Sequence, residues 1–135
     1  MPAYWLIKSE PYKYSWEQFL KDGKTFWDGV RNFQARKNLM SMKKGDVCLF
    51  YHSNEDLAIV GIAEVVKEYY PDPTDETGKW VCVDIKPQKS LKNPVRLQEI
   101  KNHPVLKNMQ FVKQPRLSVS RVSEQEFEII CQLGG

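Results

Sequence analysis

The sequence predicts an α+β fold, and three observations carry that prediction. Strand-like runs and helix-like runs are interspersed in irregular order, without the regular strand–helix–strand alternation of a parallel α/β domain. Two helix starts, at Ser15 and Ser123, bear the same capping device. No repeat, low-complexity tract or long linker divides the 135 residues, so residues 1–135 are read as a single domain. The simplest arrangement is a curled or barrel-like sheet with helices at its ends.

The elements follow in order. Residues 4–8 are aromatic and aliphatic and read as a first strand, ended by Pro11, whose ring removes a ladder donor. Ser15 caps a helix: Gln18 completes the capping box and Tyr14 with Phe19 can form the hydrophobic staple. Trp16, Phe19 and Leu20 fall at i, i+3, i+4 as its buried face, and Gly23 stops it. Asn32 caps a second helix over residues 33–41, with Phe33, Leu39 and Met40 expected to face inward. After the turn Lys44-Gly45-Asp46, strands are expected at residues 47–52 and 58–66. Gly61 inside the second marks a bulge or a close backbone approach. Two prolines, a glycine and three acids make residues 71–79 a loop, and alternation makes residues 80–85 a half-buried strand. A weaker helix spans residues 97–102, with Arg96 a poor cap and Pro104 bounding its far end. Residues 116–120 are a short strand candidate. The last helix starts at Ser123, boxed by Glu126 and stapled by Val122 and Phe127.

Bulk properties narrow the function. Hydrophobic content of 41% and charged content of 27% are ordinary for a soluble globular domain. No apolar run approaches the ~20 residues that cross a bilayer, and residues 1–8 do not read as a signal peptide. Cys48, Cys82 and Cys131 are odd in number and far apart, which argues against a disulfide framework and for a cytoplasmic location. The net charge of +3 says little. Arg31, Arg36, Lys37, Lys43 and Lys44 do cluster, but on charge alone they read as a solvated helix face.

No catalytic constellation emerges. Cys48 and His52 share one side of a strand but lie roughly 13 Å apart at ~3.3 Å per residue, too far for a dyad. His103 precedes Pro104 at a helix end and reads as a surface residue. Asp46, Asp56 and Glu64 have no evident partners. No pair of cysteines or histidines has zinc-like spacing, and nucleophile elbow, P-loop and dinucleotide fingerprint are all missing. The chain is therefore read as non-enzymatic, without metal or cofactor.

Residues 26–34, Phe-Trp-Asp-Gly-Val-Arg-Asn-Phe-Gln, are the most informative stretch. A pocket for a small planar polar group needs a stacking surface, hydrogen-bonding groups and close backbone approach. Trp27 supplies the first, Asp28, Arg31 and Asn32 the second, and Gly29 the third. Against this stand blander readings: a core Trp27 beside a capped helix start, a local Asp28–Arg31 ion pair, a Glu10 that merely caps a turn. Trp5, Phe19 and Phe50 are assigned to the core, and Trp80 to neither side.

Three more clusters accompany this stretch: Lys8-Ser9-Glu10-Pro11, Phe50-Tyr51-His52-Ser53 and Arg116-Leu117-Ser118-Val119. With the run Ile59-Val60-Gly61-Ile62-Ala63, these five ordered motifs resemble the EVE domain family over nearly the whole chain. One departure is Arg121, where the family often has proline. The resemblance implies a PUA-like fold, a strongly bent, barrel-like mixed β-sheet with flanking helices, related to YTH and ASCH domains. It also implies recognition of a modified base in DNA or RNA, flipped or unpaired, in a cleft lined by residues 8–10, 27–32, 51–53 and 116–118.

On that reading Trp27 forms a stacking wall and Tyr51 a second one. Backbone groups at Gly29 and Val30, with Ser9 and Ser53, contact the base edge. Glu10 or Asp28 accepts from an exocyclic amine, and Val30 with Ile62 offers an apolar recess for the modification. Lys8, Arg31 and Arg116 neutralise flanking phosphates. Asn32, Ser118 and His52 complete the candidate lining, His52 more as a hydrogen-bonded structural histidine than as a base. The expected partner is thus a nucleic acid, either DNA or RNA, with no membrane role. A sensor of free nucleoside-like molecules and a base-processing hydrolase are the rival readings.

Overall fold

The computed structural model describes residues 2–135. Its strands are β1 (Tyr4–Ser9), β2 (Thr25–Phe26), β3 (Val47–His52), β4 (Ala58–Pro71), β5 (Val81–Arg96) and β6 (Val119–Val122). They form one mixed, open sheet in the order β2-β5-β4-β3-β1-β6, with β1 and β3 parallel and the other pairs antiparallel. The helices are α1 (Trp16–Asp22), α2 (Phe33–Ser41), α3 (Leu97–Lys101), α4 (Gln110–Lys113) and α5 (Glu124–Gly134), with a 3₁₀ turn at Leu106–Asn108. The α+β class stands, and the bent sheet is not closed into a full barrel.

Alternation along the central strands divides the core in two. Trp5, Ile7, Cys48, Phe50, Ala63 and Val65 point to one face, where Trp16 and Phe19 of α1 and Ala35 and Leu39 of α2 cover them. Leu6, Leu49, Tyr51, Ile59 and Ile62 point to the other, beneath Ile100, Leu106, Met109, Phe111 and Ile130. The sheet is therefore sandwiched between two helical layers. This division decides which residues can share a site.

The caps form as the sequence demands. Ser15 Oγ accepts from Gln18 N at 3.0 Å, and Gly23 ends α1 at φ 73°. Gln18 does not reciprocate by accepting from Ser15 N, and its Nε2 donates to Asp22 Oδ1 at 2.9 Å. Asn32 Oδ1 accepts from Ala35 N at 2.9 Å. Ser123 and Glu126 make both bonds of the capping box.

Three inward assignments fail. Leu20 is 46% exposed, Phe33 60% and Met40 38%. The buried stripe of α2 is Ala35, Asn38 and Leu39, at i, i+3, i+4, with Asn38 Nδ2 donating to Val119 O at 2.7 Å. Spacing wins there over side-chain size. β4 and β5 run longer than expected, β5 continuing through Pro87 and Pro94. It pairs with β2 only at Asp84 and Ile85, so the rest of that side is an edge, where proline is tolerated.

Both expectations for Gly61 are met. The ladder shifts register between Ile59 and Gly61, and a Cβ on Gly61 would collide with the indole of Trp16. That indole is buried and donates to Ser90 Oγ at 2.8 Å, so it has little room to yield. Gly61→Ala is therefore expected to destabilise by about 1–3 kcal/mol. Urea titration checks this, and an unchanged midpoint would show that the ring moves freely.

Candidate functional site

A cleft of about 500 Å³ opens where the end of β1 meets the segment after β2. That size lies within the ~300–1,000 Å³ typical of ligand sites. It brings together nine of the expected residues: Lys8, Ser9, Glu10, Trp27, Asp28, Gly29, Val30, Arg31 and Ser118. A larger hollow of about 720 Å³ at the β6 edge, beside Val122 and Ser123, contains none of them.

The Trp27 segment is held by main-chain and carboxylate bonds. Trp27 N donates to Val83 O at 2.7 Å, prolonging the β2–β5 ladder by one residue. Its indole is only 9% exposed, set edge-on to Phe50 at 5.6 Å and to Tyr14 at 6.2 Å. Both readings of Trp27 thus contribute: it is a core residue with one margin on the cleft. Gly29 takes φ 76°, a left-handed conformation that disfavours a side chain. Its N–H, expected to face a base edge, instead donates to Asp72 Oδ2 at 2.9 Å.

Asp72 is the organising residue that the sequence reading passed over inside the 71–79 loop. Its buried carboxylate accepts from Gly29 N, from Arg31 Nη1 at 3.1 Å, and from the N–H and hydroxyl of Thr74 at 2.7 and 2.6 Å. Burial alone would push its carboxyl up, but these four donors outweigh it and hold the pKa below the usual value. Asp72–Arg31 is the ion pair of this loop, in place of an Asp28–Arg31 pair. The guanidinium also donates to Val30 O and Thr74 Oγ1, so much of its hydrogen-bonding capacity is spent inside the protein. The Asp-Pro-Thr triplet at 72–74, an Asx turn with a hydroxyl two residues on, was the available signal.

On the opposite wall, Ser9 Oγ donates to Tyr14 O at 2.5 Å. Glu10 Oε2 is shielded from solvent yet has no hydrogen-bond partner, with the Lys13 ammonium 3.5 Å away. A hydrogen bond from Tyr12 is the main influence holding the Glu10 carboxyl below its ordinary range. Lys8 Nζ donates to Pro115 O at 2.7 Å, and burial lowers its pKa. Tyr14, Thr25 and Phe26 also line the cleft and were missed. Phe26 is 42% exposed and presents more aromatic surface than its neighbour Trp27, because adjacent residues of a strand alternate sides.

Six expected residues lie elsewhere. Tyr51 and Ile62 belong to the core of the opposite sheet face, Tyr51 packing on Phe111 at 5.0 Å. Neither can be a wall or recess of this cleft. Ser53 lies along a separate hollow of about 390 Å³ with Tyr51, though its N–H ties back to Ser9 O at 2.9 Å. Arg116 is exposed outside the cleft, and Asn32 is occupied as the α2 cap. His52 Nε2 accepts from Trp16 N at 3.2 Å, so this lone pair satisfies the start of α1. Burial pulls its pKa down against the opposing charges of Asp56 and Glu55. Among the described residues, no three His, Cys, Asp or Glu side chains gather as a metal site would.

Comparison with known proteins shows the family and the fold. The EVE domain family model matches residues 3–133. A protein from Rhodopseudomonas palustris is 50% identical with a TM-score of 0.93, over 98% of this chain and 93% of that one. Human thymocyte nuclear protein 1, solved in complex with DNA containing 5-methylcytosine, is 34% identical with a TM-score of 0.89, over 98% and 97% of the two chains. This chain spans 74% of the full length of the human protein. The YTH domain of a Zygosaccharomyces rouxii protein is alike in fold alone, 17% identical with a TM-score of 0.62, over 98% and 86% of the chains.

Proposed function

From the chain's membership of the EVE domain family, we propose that its cleft holds one modified base of a nucleic acid, flipped out or already unpaired. The observation that carries this reading is a cleft with aromatic lining that also contains the Glu10 carboxylate, paired with Lys13 at 3.5 Å and still able to accept from a donor on the ligand. The exocyclic amine of cytosine or adenine is such a donor. Phe26, Tyr14 and the margin of Trp27 supply aromatic surface, Val30 the apolar lining, and Lys8 and Lys13 positive charge for phosphates. The DNA complex of the human relative supports 5-methylcytosine as the first base to test.

The role is one of reading rather than reaction. His52 spends its Nε2 lone pair on Trp16 and lies outside the cleft. Three unpaired cysteines support a reducing, cytoplasmic setting.

The test is a titration with single-stranded oligonucleotides carrying plain or methylated cytosine and plain or N6-methylated adenine. One methylated base should bind more tightly than its plain counterpart, with affinity falling as salt rises. Equal binding of each pair rejects the reading. A free nucleoside that binds as well as the oligonucleotide, without salt dependence, favours the sensor instead.

A further inference from the structure

A second aromatic and cationic surface begins where the cleft ends. Phe33, the first residue of α2, is 60% exposed, and its ring lies 5.0 Å from that of Trp80 at an interplanar angle of 32°. The Arg36 guanidinium sits 5.1 Å from the Phe33 ring and 5.8 Å from Trp80. Arg31, which lines the cleft, is 5.8 Å from the same Trp80 ring. Arg31 therefore joins the cleft to this platform without a break.

A single exposed phenylalanine needs no explanation, but two adjoining rings flanked by two guanidiniums do. The platform is held from behind: Asp75 Oδ2 accepts from Trp80 N at 2.9 Å, and Arg36 Nη1 donates to Lys79 O at 3.0 Å. Asp72 and Asp75 are spent on these internal bonds, and the exposed Lys37 and Lys79 outnumber the exposed Glu76 of the same loop. The surface left over is aromatic and positive. Arg36 Nε is shielded from solvent and has no partner of its own.

We propose that this platform receives the nucleotide adjoining the base in the cleft, its base stacking on Phe33 and Trp80 and its phosphate meeting Arg36. The inference rests on the reading that the cleft holds a base. Stacking on exposed rings beside cations is the general device for single strands, since every base has a π-face. The Arg31 connection supplies continuity, and the surplus of free cations supplies charge complementarity with the phosphate.

The experiment measures binding of a short single-stranded oligonucleotide with the preferred base at its centre, intact or made abasic at one neighbouring position. Removing the neighbour on one side should weaken wild-type binding about tenfold, or roughly 1.4 kcal/mol. Phe33→Ala should lose about the same on the intact strand and nothing further on the abasic one. Its thermal midpoint should be unchanged, because the side chain is exposed. Its preference for the modified over the plain central base should also be unchanged, a result that mere loosening of α2 would not give. Arg36→Gln should lessen the salt dependence. Wild-type affinity in Phe33→Ala, or a loss as large on the abasic strand as on the intact one, overturns the proposal. Absence of any preference at the central position in the wild type rejects the cleft reading instead, and the comparison of neighbours still decides the platform.

Discussion

Asp72→Ala is expected to destabilise the protein by about 3 kcal/mol and to remove its discrimination between plain and modified bases. Each hydrogen bond to a charged group contributes about 1.5–3 kcal/mol, and deletion of the carboxylate leaves Gly29 N–H and the Arg31 guanidinium without their acceptor. Part of that loss is recovered, because the Arg31 side chain is 39% exposed and can turn to water. The cleft loses more than the fold does, since the same carboxylate fixes the left-handed Gly29 and the arginine that bridges to the platform. Denaturation and oligonucleotide titration of one preparation separate the two effects. The pH dependence supplies an independent check. The Asp72 pKa is lower folded than unfolded, so its stabilisation is complete above the unfolded value of ~3.9 and is lost as pH falls through the folded value. Wild-type stability should therefore decline in acid, and Asp72→Asn, which cannot ionise, should lack that share of the slope. Identical acid slopes in the two proteins would show that the carboxylate does not anchor the loop.

What was legible in the sequence divides along physical lines. Caps are local: Ser15, Asn32 and Ser123 reach donors three residues ahead, so short windows locate α1, α2 and α5. The clustering of residues 8–10 with residues 27–31 depended on five motifs read together, and the sheet does bring their backbones to one cleft. Tyr51 and Ile62 both face the other side of the sheet because side chains alternate along β3 and β4. Strand neighbours point to opposite faces, so the Phe50-Tyr51-His52-Ser53 motif cannot place all its side chains on one side. For Asp72 the Asp-Pro-Thr triplet signals a local turn, but its other acceptor role serves Gly29 and Arg31, more than forty residues away, and no local spacing encodes that. Phe33 is large but out of phase with the buried stripe Ala35, Asn38 and Leu39, so its ring is left on the surface as part of the platform.

Trp27→Ala is expected to cost about 3–5 kcal/mol of stability, since truncation of a large buried aromatic leaves a cavity. The indole is 9% exposed and lies against Phe50 and Tyr14, the first of these fully buried. Any loss of binding in that variant therefore mixes a missing contact with a disturbed core. Phe26→Ala resolves the mixture. Phe26 is 42% exposed on the same cleft, so its truncation should leave the unfolding midpoint nearly in place. Base binding should nonetheless weaken by about 1–3 kcal/mol if its ring stacks. The two variants thus place stability and recognition on neighbouring residues of one cleft, the first largely buried and the second exposed. Should Phe26→Ala bind as wild type while Trp27→Phe, which keeps most of the core filled, loses base preference, the stacking surface is the indole margin. The cleft would then read its base from deeper within than the exposed ring allows.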